Sequence, residues 1–182
     1  VQNRMGIGDM VIFLPFIEAI SKKFSTPISV LVKESSKAIQ FLKNNKAINE
    51  IIILDRSNKI KNGNHDGMIG SYNLSRDLKK YNFDKIFIFN SSFRFNLIAR
   101  AAGIKDIYQY PLFQKKNQHI INAAKKFLKI ELNLDIESDP KIFINEQLVK
   151  NSKLKYKINN DEVNILLGIG GSGPTKRVPA KI

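Results

Sequence analysis

Arg4-Met5-Gly6-Ile7-Gly8-Asp9 runs directly into Met10-Val11-Ile12-Phe13-Leu14-Pro15-Phe16-Ile17, and the fold is decided at this junction. A strand end, a turn with two glycines and an apolar helix, in that order, make the first part of a β–α unit. Residues 1–3 read as the tail of a strand and residues 9–24 as a helix. In that helix Ile12, Phe13, Phe16, Ile17 and Ile20 recur at three-to-four spacing. Pro15 within the run implies a kink or a late helix start.

Outward from this junction the alternation continues. Residues 28–32 and 50–54 read as strands, with a helix over 36–43 between them. Residues 55–71 are polar and rich in Gly and Asn, which reads as a loop. Helix is expected at 72–81, strand at 84–90, helix at 93–102 closed by Gly103, a short strand at 107–110 and helix at 118–130. Strands alternating with helices imply a parallel sheet of Rossmann type. Residues 137–160 read as a connector holding an extended piece at 141–144 and a polar helical piece. Residues 163–167 then start a new apolar strand that ends in a Gly-rich loop. The expected organisation is a first domain over 1–157 and the start of a second over 158–182. Its first strand is expected to begin before Val1, and its second domain to continue beyond Ile182.

Composition narrows the function classes. Of 182 residues, 43% are hydrophobic and 25% charged, which is a globular balance. No apolar run approaches the roughly 20 residues of a membrane-spanning helix. The absence of cysteine excludes disulfides and thiolate metal sites. A net charge of +14 directs the protein toward anionic partners, namely nucleic acid, acidic lipid or phosphorylated sugar. The lysines are dispersed in pairs such as Lys22-Lys23 and Lys125-Lys126, the pattern of a solvated surface.

Three motifs carry candidate chemistry. In Gly6-Ile7-Gly8-Asp9 the glycines permit a tight turn and close approach of a ligand. Asp9 reads either as a general base at the mouth of the sheet or as an ordinary helix N-cap. The motif is not a dinucleotide fingerprint, because position 11, where the third glycine belongs, is Val11. The second motif is Gly168-Ile169-Gly170-Gly171-Ser172-Gly173-Pro174-Thr175-Lys176. Its order and spacing fail the P-loop pattern, yet its amides, the Ser172 hydroxyl and Lys176 suit a phosphate; the alternative is a turn with a surface lysine. The third is Ser91-Ser92-Phe93-Arg94, which follows the most apolar strand. It is either a contact for an acceptor or a simple serine cap. His65 and His119 have no metal-ligand company, and no metal site is expected.

The two terminal motifs together resemble glycosyltransferase family 9, the lipopolysaccharide heptosyltransferase family. The resemblance runs through residues 4–11, Leu14-Pro15, Phe83-Asp84-Lys85-Ile86, Phe93-Arg94 and the following helix to Gly103, and ends with residues 168–179, including Lys176-Arg177 and Pro179. Many members carry Trp where this chain has Val178.

The resemblance implies a GT-B fold, in which two Rossmann-like domains, one for acceptor and one for donor, face each other across a cleft. It implies inverting transfer of a heptose from an ADP-activated donor to the lipopolysaccharide inner core, with no cofactor beyond that donor substrate. Asp9 would be the catalytic base. Lys176, Ser172 and Gly171 would bind the donor phosphates, and Gly6 and Gly8 would allow close approach. Arg4, Ser91, Ser92 and Arg94 would face the acceptor. The expected partners are a nucleotide sugar, an anionic glycolipid and an anionic membrane surface, with no specific nucleic acid. The expected location is the cytoplasmic face of a bacterial inner membrane. The alternatives are a transferase using another nucleotide sugar, and a non-catalytic basic module binding anionic glycolipid or nucleic acid.

Overall fold

The computed structural model describes residues 6–57, 62–111, 119–142, 144–159 and 161–166. The elements are α1 (Ile7–Phe24), β1 (Ile28–Val32), a 3-10 turn (Glu34–Ser36), α2 (Ala38–Leu42), β2 (Ile48–Ile53), α3 (Gly67–Lys79), β3 (Lys85–Ile88), α4 (Phe93–Ala101), β4 (Asp106–Gln109), α5 (Ile120–Leu132) and α6 (Glu146–Lys155). They fall into two compact units, residues 1–143 and 144–182. The boundary expected between 157 and 158 lies inside the second of these. The strand expected at residues 1–3 lies outside the described residues.

In the first unit every strand pairing is parallel. β1 pairs with β2 from Ile28 opposite Ile48 to Val32 opposite Ile53, with one irregularity between Ile28 and Val30. β3 pairs with β4 in unbroken register, Lys85 opposite Asp106 and Ile88 opposite Gln109. The single expected sheet is thus present, among the described residues, as two parallel pairs. An apolar cleft lies between them, bordered by Val30 and Leu31 of β1, by Ile86 and Phe87 of β3, and by Met10 and Phe13 of α1.

Side chains alternate across a strand, so each strand feeds two cores. Val30, Val32 and Phe89 join one cluster with α1, α2 and α5 residues such as Phe13, Leu42 and Leu128. Leu31 and Ile88 join a second cluster with α3 and α4 residues such as Leu74, Leu78, Phe95 and Ile98. Helices therefore cover both faces, which is the arrangement that parallel strands require. α4 ends in a Schellman motif. Gly103 adopts φ +83°, its N–H bonds to Arg100 O at 2.9 Å, and Ile104 N–H bonds to Ala99 O at 3.1 Å. Ile104 then buries against the second cluster, which fixes the entry to β4.

Three expectations are corrected. The helix over 36–43 is interrupted, because Ser36 Oγ donates to Lys33 O at 2.7 Å and accepts from Ala38 N at 3.3 Å. These local bonds divert the backbone from the helical ladder, and Lys37 enters the left-handed region at φ 52°. α3 begins at Gly67 instead of residue 72. Residues 163–166 are not a strand: Val163, Ile165 and Leu166 are exposed, and no strand pairs with them among the described residues. β-propensity alone does not hold an unpaired segment extended.

In the second unit, α6 is capped by Asn145, whose side chain accepts from Gln147 N at 2.8 Å, and it buries none of its residues.

The centre of the first cluster is aromatic. Phe89 meets Phe13, Tyr110 and Phe127 edge-on with centroids 5.2, 5.7 and 5.3 Å away. Tyr110 is buried there, its hydroxyl has no hydrogen-bond partner among the described residues, and burial pushes its pKa up. An unsatisfied buried hydroxyl costs about 1–3 kcal/mol. Tyr110→Phe is therefore expected to leave the urea midpoint unchanged or raise it. Phe127→Ala should lower stability by about 3–5 kcal/mol. A loss above about 1 kcal/mol for Tyr110→Phe would show that the hydroxyl is satisfied.

Candidate functional site

Parallel strands place all their carboxyl ends at one edge, and ligands of such sheets bind there. In this chain that edge is built from the segments after β1, β2 and β3, together with residues 106–111 around the end of β4. The turn Gly6–Asp9 opens α1, which packs in the core cluster shared with β1 and β3.

Asp9 is the third residue of α1, and Gly6 is its N-cap, with φ −93° and ψ −176°. Asp9 Oδ2 accepts the Gly6 N–H at 3.0 Å, the side-chain-to-backbone half of a capping box. The reading of Asp9 as the N-cap itself is thus shifted by three residues. The carboxylate is half-buried and held at the positive end of an 18-residue helix. Neither glycine is demanded by packing among the described residues. Among the described residues, a Cβ at Gly8 would meet nothing within 4 Å, and one at Gly6 would meet only Asp9 Oδ2 at 4.0 Å. Among the described residues, the turn therefore leaves open space beside a fixed carboxylate.

A polar groove follows β1 and β2, lined by Lys33, Glu34, Lys37, Asp55, Arg56 and Ser57. Lys33, Lys37 and Arg56 are edge residues that the sequence reading did not single out. Their position directly after two apolar strands was the available signal. Arg56 Nε pairs with Asp66 Oδ1 at 2.6 Å. The Ser57 hydroxyl and amide donate to Asp66 Oδ2, and with Arg56 they hold that carboxyl below its ordinary pKa.

Arg94 is engaged within the chain. Its Nε donates to Ser71 Oγ at 2.8 Å, and its Nη2 donates to His65 O at 2.5 Å and Gly67 O at 3.2 Å. Burial lowers its pKa, with a further contribution from Arg56. His65 is buried and anchors the loop. Its Nδ1 accepts from Asp55 N at 3.0 Å, which leaves the proton on Nε2 to be donated to Asp77 Oδ2 at 3.2 Å. Lys80 Nζ, 2.6 Å from Asp77 Oδ1, and then His65 lower the Asp77 pKa. Gly70 lets α3 approach this loop, since a Cβ there would lie 2.2 Å from His65 C. These contacts are why α3 starts early: the Arg94 fork collects the carbonyls and hydroxyl at its first turn.

Ser92 is the N-cap of α4 without a side-chain cap bond; its N–H instead donates to Asn90 Oδ1 at 2.9 Å. Its carbonyl accepts from Gln109 Nε2 at 2.9 Å, which ties the ends of β3 and β4 together. Ser91 is exposed at the same edge. Arg4, Gly171, Ser172 and Lys176 lie outside the described residues. The described residues contain no group of three or more His, Cys, Asp or Glu placed to hold a metal ion.

No protein-family model matches the chain, and no curated protein matches it in sequence. Among solved structures it is similar to a glycosyl transferase family 9 protein from Veillonella parvula DSM 2008, with a TM-score of 0.72 and 18% identity over 97% of this chain. The chain spans about half of that structure's length, 54%. The likeness establishes an α/β fold with parallel strands of that kind.

Arg94 is expected to act chiefly as a brace. Arg94→Lys replaces donors on two separate nitrogens with a single point ammonium and should lower stability by about 1–3 kcal/mol in urea unfolding. Hydrogen exchange should accelerate at the Gly70 amide, which bonds to Asp66 O. Unchanged stability and exchange would free Arg94 for a ligand.

Proposed function

We propose that the protein is an inverting glycosyltransferase and that this chain carries its acceptor side. The observation that carries the reading is the fold likeness, extending over 97% of the chain, to a glycosyl transferase family 9 structure. The fixed carboxylate of Asp9 beside open space at the start of α1 supports it.

In the proposed reaction the acceptor hydroxyl attacks the anomeric carbon of the donor sugar from the face opposite the leaving group. Asp9 takes the hydroxyl proton as the new C–O bond forms. The bond from the anomeric carbon to the phosphate oxygen breaks, and the nucleoside diphosphate departs with the electron pair. Asp9 suits the base role because Gly6 N–H engages one carboxylate oxygen and fixes the group's direction. Lys176, Ser172 and the amides around Gly171 would stabilise the departing diphosphate without a metal.

The finer reading makes the donor ADP-heptose, the acceptor the lipopolysaccharide inner core and the location the cytoplasmic face of the inner membrane. It rests on the motif resemblance and on the net charge of +14, which suits an acceptor rich in phosphate and carboxylate. No helix among the described residues is long and apolar enough to cross a membrane.

Asp9→Asn separates the two roles of this side chain. Asparagine keeps an oxygen for the Gly6 N–H but cannot take a proton. In the full-length protein, turnover should fall by about 10²–10⁴-fold while the donor Kd and the thermal midpoint stay nearly constant. Wild-type turnover would remove Asp9 from the mechanism and favour a non-catalytic binding module.

Gly8→Ala tests the open space. Alanine in the first turn of α1 should stabilise the protein by up to about 1 kcal/mol. If a substrate occupies that space, the same change should slow transfer at least about tenfold. A more stable variant with full activity would show that nothing approaches the turn at Gly8.

A further inference from the structure

α3 and α4 bury one face each and leave the opposite faces bare. On α3, Met68 is 91% exposed, Ile69 78% and Tyr72 66%; on α4, Phe93 is 54% exposed and Leu97 51%. Single exposed apolar residues are ordinary, but five on two adjacent helices make a patch. The helices run in the same direction: Arg94, at the start of α4, bonds to Gly67 and Ser71 at the start of α3. Further along, Ser75 of α3 lines the shared groove with Ile98 and Ala101 of α4.

Both helices repeat one pattern along their outer faces. Met68, Tyr72, Arg76 and Lys79 follow at spacings of four, four and three, within a single stripe at 3.6 residues per turn. Phe93, Leu97 and Arg100 do the same on α4. In each stripe the apolar residues lie at the amino end and the cations at the carboxyl end. The sole acidic residue of the two helices, Asp77, is paired with His65 and Lys80.

We infer that this α3–α4 face docks on an anionic bilayer surface. Met68, Ile69, Tyr72, Phe93 and Leu97 enter the boundary between headgroups and acyl chains, and Arg76, Lys79 and Arg100 reach lipid phosphates. Charge complementarity selects this occupant. A second copy of the chain would bring three more cations into the contact and no acid of α3 or α4 that is not already paired, whereas the centre of a protein interface is depleted of charge. The apolar end adjoins the edge at which β3 delivers the chain to α4, so docking would bring the proposed acceptor edge to the lipid. That consequence rests on the glycosyltransferase reading; the docking itself does not.

The 182-residue chain contains no tryptophan, so in it Tyr72→Trp introduces a single reporter. The probe is vesicles of phosphatidylcholine with or without a third of phosphatidylglycerol, at about 150 mM salt. With anionic vesicles the emission of Tyr72→Trp is expected to shift blue and to be quenched by brominated acyl chains. With neutral vesicles it should not respond. Gln40→Trp, exposed on α2 against the other core cluster, should stay silent in both. The double reversal Arg76→Glu with Arg100→Glu should weaken binding at least about tenfold. The same charge change at exposed Lys22 and Lys23 on α1 should cost less than about threefold.

Failure to bind anionic vesicles overturns the inference, as does binding with a silent Tyr72→Trp or equal losses from the two reversals. Blue emission without vesicles also overturns it: dependence on protein concentration would identify a second copy as the occupant, and independence another part of the protein. Failure of the catalytic reading looks different, with transfer absent and docking intact.

Discussion

Parallel pairing is the constraint on which the rest of this structure depends. Two parallel strands cannot be joined by a hairpin, so the chain must cross back between β1 and β2 and between β3 and β4. Each return deposits a helix or turn on a face of the sheet. The strands must then be apolar on both sides, and Leu31 between Val30 and Val32 meets that demand by sending alternate residues to two different clusters. The same constraint puts the carboxyl ends of both strands of each pair at one edge of that pair. Asp55 and Arg56 share a groove with Lys33 and Lys37, and Gln109 bonds to Asn90 and Ser92, through topology and not through nearness in sequence.

At that edge, residues are divided between bracing the scaffold and remaining available. Arg94 and His65 serve the first purpose. Their polar atoms are spent on the Asp55, Gly67, Ser71 and Asp77 contacts that seat α3. Asp9 stands differently. It receives one backbone hydrogen bond from three residues away and has open space beside Gly8. A carboxylate so placed is cheap to orient and still accessible, whereas the Asp77 carboxylate is shared between His65 and Lys80 and is not.

Much of the fold was legible because local and tertiary signals agreed. β1 was read with its observed bounds, since a five-residue apolar run between polar neighbours matches a strand buried on both faces. Gly103 marked the end of α4 because only a residue tolerant of positive φ closes a Schellman motif there without strain. Where local signals conflicted, reading failed. Ser36 looked helical by its neighbours, yet its hydroxyl captured the backbone on either side. Gly67, Gly70 and Ser71 looked like loop, yet Arg94 and the close approach to His65 hold them in a helix. Residues 163–166 looked like a strand by propensity, which says nothing of whether a partner is at hand.

The candidate site divides along the same line. A glycine–aspartate turn before an apolar helix is a local pattern, so sequence alone could single out Asp9 as a candidate. Lys33, Lys37 and Arg56 share a groove only because β1 and β2 end side by side, and no spacing rule joins residue 33 to residue 56. Arg94 illustrates the converse. Its place after an apolar strand drew attention to it as an acceptor contact, but sequence position cannot reveal how many of a guanidinium's donors are already committed. Here Nε and Nη2 are taken by three acceptors, and two of those are backbone carbonyls that no substitution of their side chains would remove. A cation so engaged shapes the edge by fixing where α3 begins. The groove after β1 and β2 is lined by other cations, Lys33 and Lys37, beside Arg56, which is paired with Asp66.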